Sequence, residues 1–168
     1  IHVHESGAID NEAEDEADAF QQIKQFLSYM PANVWEAPPT RACADPPDRA
    51  EEALLSLVPR NRKRIYSMRK LLRLVVDDGE LFEIKPHFGT CVITALARIT
   101  GHSIGIIANN PQQNGGALDA DGSDKQAHFI ELCDYFHIPL VYFADIPGFM
   151  VGAQAEQRGT LRRGMRAI

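Results

Sequence analysis

The sequence predicts an α/β protein, on three observations. Its second half alternates strand-like and helix-like segments: Leu81–Ile84, Cys91–Ile99 and Ser103–Ala108, a helical stretch from Ser123, the strand Leu140–Ala144, then a helical pattern over Ala155–Ile168. Strand, helix, strand, helix in that order implies parallel pairing through right-handed crossovers. The helical stretches carry apolar residues at the 3.6-residue period of one buried face. Six of the ten prolines fall within residues 31–60, "PANVWEAPPTRACADPPDRAEEALLSLVPR", which reads as an ordered connector between two structural units. There is no internal repeat and no low-complexity tract.

Taken in order, residues 12–30 form the first predicted helix, with Phe20, Ile23, Leu27 and Met30 as its apolar stripe. Its opening turns are acidic, which suits the positive end of the helix dipole, and Pro31 stops it. A second helix follows the connector, with Ile65, Met68, Leu72 and Val75 on one face and bases on the other. Gly101-His102 reads as the tight turn of a hairpin between the second and third strands. After the polar loop "NNPQQNGGALDADGS", Ser123 and Gln126 have capping-box spacing for a third helix, which buries Phe129, Ile130, Cys133 and Phe136. Pro139 ends it and opens the strand Leu140–Ala144, five apolar residues that read as buried. Ala155–Ile168 reads as a fourth helix, with bases at 158, 162, 163 and 166.

Composition narrows the function classes. A hydrophobic share of 45 % and a charged share of 24 % over 168 residues describe a globular protein. No apolar run approaches a membrane span, and no basic stretch followed by an apolar core predicts a signal peptide. Cys43, Cys91 and Cys133 form no CxxC pair, which argues against a disulfide framework or zinc site and suits a reducing compartment. The close pair His2 and His4 lacks partners at ligand spacing, so no metal is expected. Net charge is −6 but segregated: residues 1–20 carry seven acids and no base, and residues 60–73, "RNRKRIYSMRKLLR", seven bases and no acid. The basic block reads as a solvated face, a subunit contact or an anion contact. Nucleic acid is disfavoured by the acidic balance and by Tyr66 being the block's one stacking aromatic.

Chemistry is expected at the carboxyl ends of the strands, where ligands of α/β layers sit. Two loops lie there: "NNPQQNGG", and "DIPGFMVG" after Ala144. The first lacks the spacing of a phosphate-binding loop and reads as a connection shaped by Gly115 and Gly116. In the second, Gly148 permits close backbone approach, Pro147 stiffens the turn and removes a donor, and Phe149 and Met150 are placed to exclude water. From the residues alone, a strand-to-helix corner with an apolar plug is the preferred reading. His87, His102, His128 and His137 read as surface or packing residues without a general-base partner.

The stretch "GHSIGIIANNPQQNGGALDADGSDKQAHFIELCDYFHIPLVYFADIPGFMVG" resembles the carboxyltransferase (β) subunits of biotin-dependent acyl-CoA carboxylases, of the propionyl-CoA and methylcrotonoyl-CoA carboxylase type, and the related decarboxylase subunits. The matching pieces are Gly105–Pro111, Gly116–Asp119, Ser123–Asp134, Ile138–Phe149 and Arg162-Arg163-Gly164, with Asp45–Arg49 and "SGAID" at 6–10 upstream. The resemblance implies an incomplete crotonase/ClpP-like carboxyltransferase fold. Residues 1–60 would be the end of a first crotonase-like domain plus the connector, and 61–168 the first part of a second, biotin-side domain. Glycine-rich helix starts that complete the family's oxyanion holes match nothing in this chain, so the chain alone is expected to be inactive. The implied reaction moves a carboxyl group from carboxybiotin to the α-carbon of an acyl-CoA, with biotin on a separate carrier domain or subunit. Gly148 and Phe149 are then the catalytic candidates, and Asp77, Lys85, Arg98, Asn109, Asn110, Gly115 and Gly116 the substrate-binding ones. Implied partners are biotin carboxylase and biotin carrier subunits, the CoA ester, and further copies of the chain, as a hexamer in the full-length family, in the bacterial cytoplasm or mitochondrial matrix. Alternatives are a segment of a biotin-dependent acyl-CoA decarboxylase, or a non-catalytic binding fragment.

Overall fold

The computed structural model describes residues 1–46, 48–61 and 64–167. Arg62 and Lys63 of the basic block, Pro47 and Ile168 lie outside the described residues. Strands β1 (Phe82–Ile84), β2 (Val92–Ile99), β3 (His102–Asn109) and β4 (Leu140–Phe143) form one sheet in the order β1-β2-β3-β4. The first three are antiparallel neighbours, with Ile84 opposite Thr94 and Val92 opposite Asn109. β4 runs parallel to β3, with Gly105 beside Leu140 and Ala108 beside Phe143. The β2–β3 turn is Thr100-Gly101, one residue earlier than expected. Both have positive φ, +52° and +78°, which gives a two-residue turn whose twist matches the strands.

The helices are α1 (Glu16–Leu27), α2 (Leu54–Leu57), α3 (Met68–Val75), α4 (Ala120–Tyr135), α5 (Ala153–Gln157) and α6 (Thr160–Gly164). The period of two along β2 sorts its side chains between two cores. Val92 and Leu96 join Ile107, Leu118, Phe129 and Cys133 of the α4 side. Ile93 and Ala97 join Ile104, Ile106 and Met68, Leu72 and Val76 of the α3 side. The sheet is therefore covered on both faces, and β2 and β3 read as near-continuous apolar runs for that reason.

Several expectations shift by a few residues, each for a local cause. α1 begins at Glu16 because Asp15 accepts the Asp18 N–H at 2.8 Å as N-cap. Its stripe of Phe20, Ile23 and Leu27 is 55, 52 and 58 % exposed, and Tyr29 and Met30, past the helix end, reach the core instead. α3 begins at Met68, capped by Ser67, so Ile65 lies outside it and is exposed. α4 begins before the predicted Ser123 because Asp119 caps it, accepting the Gly122 N–H at 2.7 Å. Among the described residues β4 has a strand neighbour on one side only and is partly exposed rather than buried, with Tyr142 52 % exposed. The predicted last helix breaks at Gly159, whose φ is +67°, into α5, α6 and a terminal 3-10 turn. Its bases pair with acids of α4 and the residues opening it: Arg158 with Asp121, Arg163 with Asp124, Arg166 with Glu131.

Lys125 on α4 is fully buried and donates to the Val92 carbonyl at 2.7 Å. Burial lowers its pKa from the usual 10.5 to about 8. Between those two values the unfolded chain binds more protons than the folded one, so this residue makes stability rise with pH across the window. Cys91 and Cys133, raised to about 12 by burial, act in the opposite sense above pH 9. Comparison with Lys125→Met cancels Cys133, and Cys91 apart from its minor coupling to Lys125. The stability lead of wild type over Lys125→Met is expected to grow by about 3 kcal/mol from pH 8 to 10.5 in urea unfolding, and a pH-independent difference would contradict this.

Candidate functional site

Because β3 and β4 are parallel, their carboxyl ends open at one end of the sheet, and the two expected loops meet there. Asn109, the last residue of β3, ties them together. Its Oδ1 accepts the Asp145 N–H at 3.2 Å, and its Nδ2 donates to the Gly116 carbonyl at 3.3 Å. Asn110 is buried and holds its own loop: its Nδ2 donates to the Thr90 carbonyl at 2.8 Å and its Oδ1 accepts the Gln112 N–H at 3.3 Å. Gly115 and Gly116 sit in a 3-10 turn, and a Cβ on Gly116 would stand 2.8 Å from the Asp145 carbonyl oxygen. Glycine there is what lets the two loops touch.

Downstream, residues 148–150 pair with Leu118. The Leu118 N–H donates to the Gly148 carbonyl at 3.0 Å, and the Met150 N–H donates to the Leu118 carbonyl at 2.8 Å. This leaves the Gly148 and Phe149 N–H groups without an acceptor among the described residues. Gly148 has φ of +137°, and the space where its Cβ would stand is open to at least 4 Å. The Phe149 ring packs on Gly164 of α6, where a Cβ would lie 2.4 Å from Cε1. That contact explains the glycine of Arg162-Arg163-Gly164.

On the other side, the Tyr66 hydroxyl donates to Asp145 Oδ2 at 2.7 Å. Burial and the carboxylate raise the phenol to about 12, so it stays protonated. A cavity of about 430 Å³ lies here, lined by Arg64, Tyr66, Pro111, Gly115 and Asp145 among others. A larger cavity of about 1060 Å³ lies between the N-terminal segment, α4 and α6, with Lys85, Lys125, Arg162 and Arg163 in its lining. We place the candidate chemistry at the strand ends, because free backbone donors beside open space occur there, whereas Lys85 and Arg163 are already ion-paired.

The structure thus gathers Asn109, Asn110, Gly115, Gly116, Gly148 and Phe149, and sets the other predicted residues apart. Asp77 is at the opposite end of β3, roughly 23 Å along the strand from Asn109. It accepts the Thr100 and Gly101 N–H groups at 2.9 and 2.7 Å. Arg98 donates to the Ser28 carbonyl at 2.7 Å and stacks 4.2 Å above the Tyr29 ring. Lys85, just past the end of β1 on the side of the sheet away from β4, holds Asp10 and the Gly7 carbonyl. Within the basic block, Arg69 forms a two-pronged pair with Glu83 at 2.7 and 2.8 Å, and Arg73 donates to the Gly79 carbonyl. Sequence spacing missed three exposed histidine–acid pairs, His4 and His87 with Glu12 and His128 with Asp10, all at 3.5 to 3.8 Å. It also missed the Tyr66–Asp145 bond, which spans 79 residues. Among the described residues no cluster of three metal-ligating side chains occurs, and no helix is long and apolar enough to cross a membrane.

A helix-covered sheet with a parallel last strand, two loops joined at its carboxyl end and unpaired turn donors defines part of a crotonase-like carboxyltransferase fold. The chain belongs to the Carboxyl transferase domain family, whose model matches residues 1–168. It is 44 % identical over its whole length to the uncharacterized carboxylase YngE of Bacillus subtilis, of which it covers 33 %. It is 41 % identical to the methylmalonyl-CoA decarboxylase subunit alpha of Veillonella parvula, over 97 % of this chain and 32 % of that one. For the mitochondrial propionyl-CoA carboxylase beta chain of Homo sapiens the identity is 36 %, over 99 and 31 %. The transcarboxylase 12S structure, a hexamer assembly with methylmalonyl-coenzyme A and methylmalonic acid bound, superposes with a TM-score of 0.95 at 38 % identity, over 98 % of this chain and 32 % of that one. The chain therefore spans about a third of the length of these relatives.

Proposed function

We propose that this chain carries the biotin-side part of a carboxyltransferase that moves a carboxyl group between carboxybiotin and the α-carbon of an acyl-CoA. The observation that carries this is the pair of N–H groups at Gly148 and Phe149 that have no acceptor among the described residues, beside open space past the carboxyl end of β4. Biotin, held on a separate carrier domain or subunit, would supply the carboxyl group and accept the α-proton. The chain's own part is electrostatic. Donors fixed by the Leu118 pairing meet the negative charge that develops on a ureido oxygen, without reorganising as it forms. Phe149 and Met150, 39 and 36 % exposed in this chain, would exclude water only where further protein covers the turn. Asn109, Asn110, Gly115 and Gly116 shape the wall on which the CoA ester lies. The one carboxylate in the turn, Asp145, is held by the Tyr66 hydroxyl, and the α-proton is assigned to biotin.

Residues 1–60 then close a first crotonase-like domain with its connector, and 61–168 open the second. The exposed Phe20, Ile23 and Leu27 stripe supports burial against further protein, in an oligomer working with biotin carboxylase and carrier subunits in the cytoplasm or mitochondrial matrix. The likeness to a decarboxylase subunit at 41 % identity favours a second direction for the same step, from the CoA ester to biotin. The test is a family-length polypeptide containing this segment, given free biotin and methylmalonyl-CoA radiolabelled in its free carboxyl group. Label is expected on biotin. No transfer from methylmalonyl-CoA or methylcrotonoyl-CoA-derived substrates would overturn the proposal.

A further inference from the structure

We propose that Tyr66 is a positioning residue for carboxyl transfer: its hydroxyl, by holding Asp145, fixes the turn whose N–H groups meet the reacting oxygen. This rests on the function proposed above. The turn from Ala144 to Gly152 is largely exposed, so it has little packing to define it. Its side-to-side position depends on named bonds. Leu118 holds residues 148 and 150, and Asn109 holds the Asp145 N–H. Both anchors belong to the β3–α4 connection and move with it. Tyr66 reaches the turn from the opposite side of the sheet, at 2.7 Å from Asp145 Oδ2.

Tyr66 is itself well anchored. It packs against the core of Met68 and Leu72, directly before Ser67, the N-cap of α3. Asp145 lies three residues before Gly148, with Pro147 stiffening the chain between them. A displacement at Asp145 is therefore passed on to the donors rather than absorbed. The phenol remains a donor at neutral pH, because its pKa is raised to about 12. The bond is exposed enough that its loss changes little in overall stability, which separates positioning from folding.

The experiment uses a family-length polypeptide containing this segment. Tyr66→Phe is expected to lower kcat for carboxyl transfer to biotin by at least about tenfold, with KM for the CoA ester and Tm unchanged. Asp145→Ala should fall as far, the double variant no further, and Asp145→Asn, which keeps an acceptor oxygen, should recover most of what Asp145→Ala loses. A Tyr66→Phe enzyme within twofold of wild type, or losses that add in the double variant, overturns the proposal while Gly148→Val remains inactive. If Gly148→Val itself stays active, the function assigned to the turn falls, and this proposal with it.

Discussion

Gly148→Val is expected to lower carboxyl transfer by about 100-fold while leaving acyl-CoA binding nearly intact, when measured in a family-length polypeptide. Gly148 has φ of +137°, a conformation that a β-branched residue resists. Valine there either imposes about 1–3 kcal/mol of local strain or shifts the turn. It has no steric clash to relieve, since nothing lies within 4 Å of the Cβ position. The open space is instead where the proposed ligand stands, so the side chain would both misaim the donors and occupy the approach. Acyl-CoA contacts come largely from other segments and should survive. Two assays on one variant decide this: CoA-ester affinity and biotin-dependent transfer. Retention of most of the transfer would reduce the turn to a structural corner.

The largest expected loss of stability is at the other end of the sheet. Gly101 has φ of +78°, its carbonyl accepts the Arg41 N–H at 2.9 Å, and its own N–H donates to Asp77. A Cβ there would stand 2.0 Å from the Arg41 carbonyl oxygen, so the connector or the hairpin must move. Gly101→Ala is expected to destabilise the fold by about 2–4 kcal/mol, from overpacking against backbone plus positive-φ strain. Gly115→Ala is the control. Its φ is +62° but its Cβ meets nothing within 4 Å, so strain alone, about 1 kcal/mol, is expected. Urea unfolding that gives equal losses for both would show that the Arg41 contact yields freely.

Much of this was legible locally. Near-continuous apolar runs marked β2 and β3, and the β3–α4–β4 order implied the parallel pair that brings two loops to one end. The two faces of β2 held a signal about Arg98: it shares a face with Val92, Thr94 and Leu96, which directs it inward to Tyr29 rather than to a ligand. Apolar pattern gave the α1 stripe but not its cover. Five apolar residues from Leu140 predicted burial, whereas among the described residues β4 has a strand neighbour on one side only and stays partly exposed. The start of α4 was read at Ser123 alone, but Asp119 caps the helix, with the Ser123 hydroxyl donating back to the Asp119 carbonyl at 2.7 Å. Contacts such as Tyr66 with Asp145 leave no local trace, because their partners meet only through the fold.

The central claim is that backbone donors at Gly148 and Phe149 face the ureido oxygen of biotin. A crystal structure of a family-length polypeptide containing this segment, with biotin bound, measures it directly. The account predicts that oxygen at about 2.7–3.1 Å from the amide nitrogen of Gly148 or Phe149, with Tyr66 still on Asp145. Biotin bound instead in the cavity beside Lys85 and Arg162, out of reach of the turn, would contradict it.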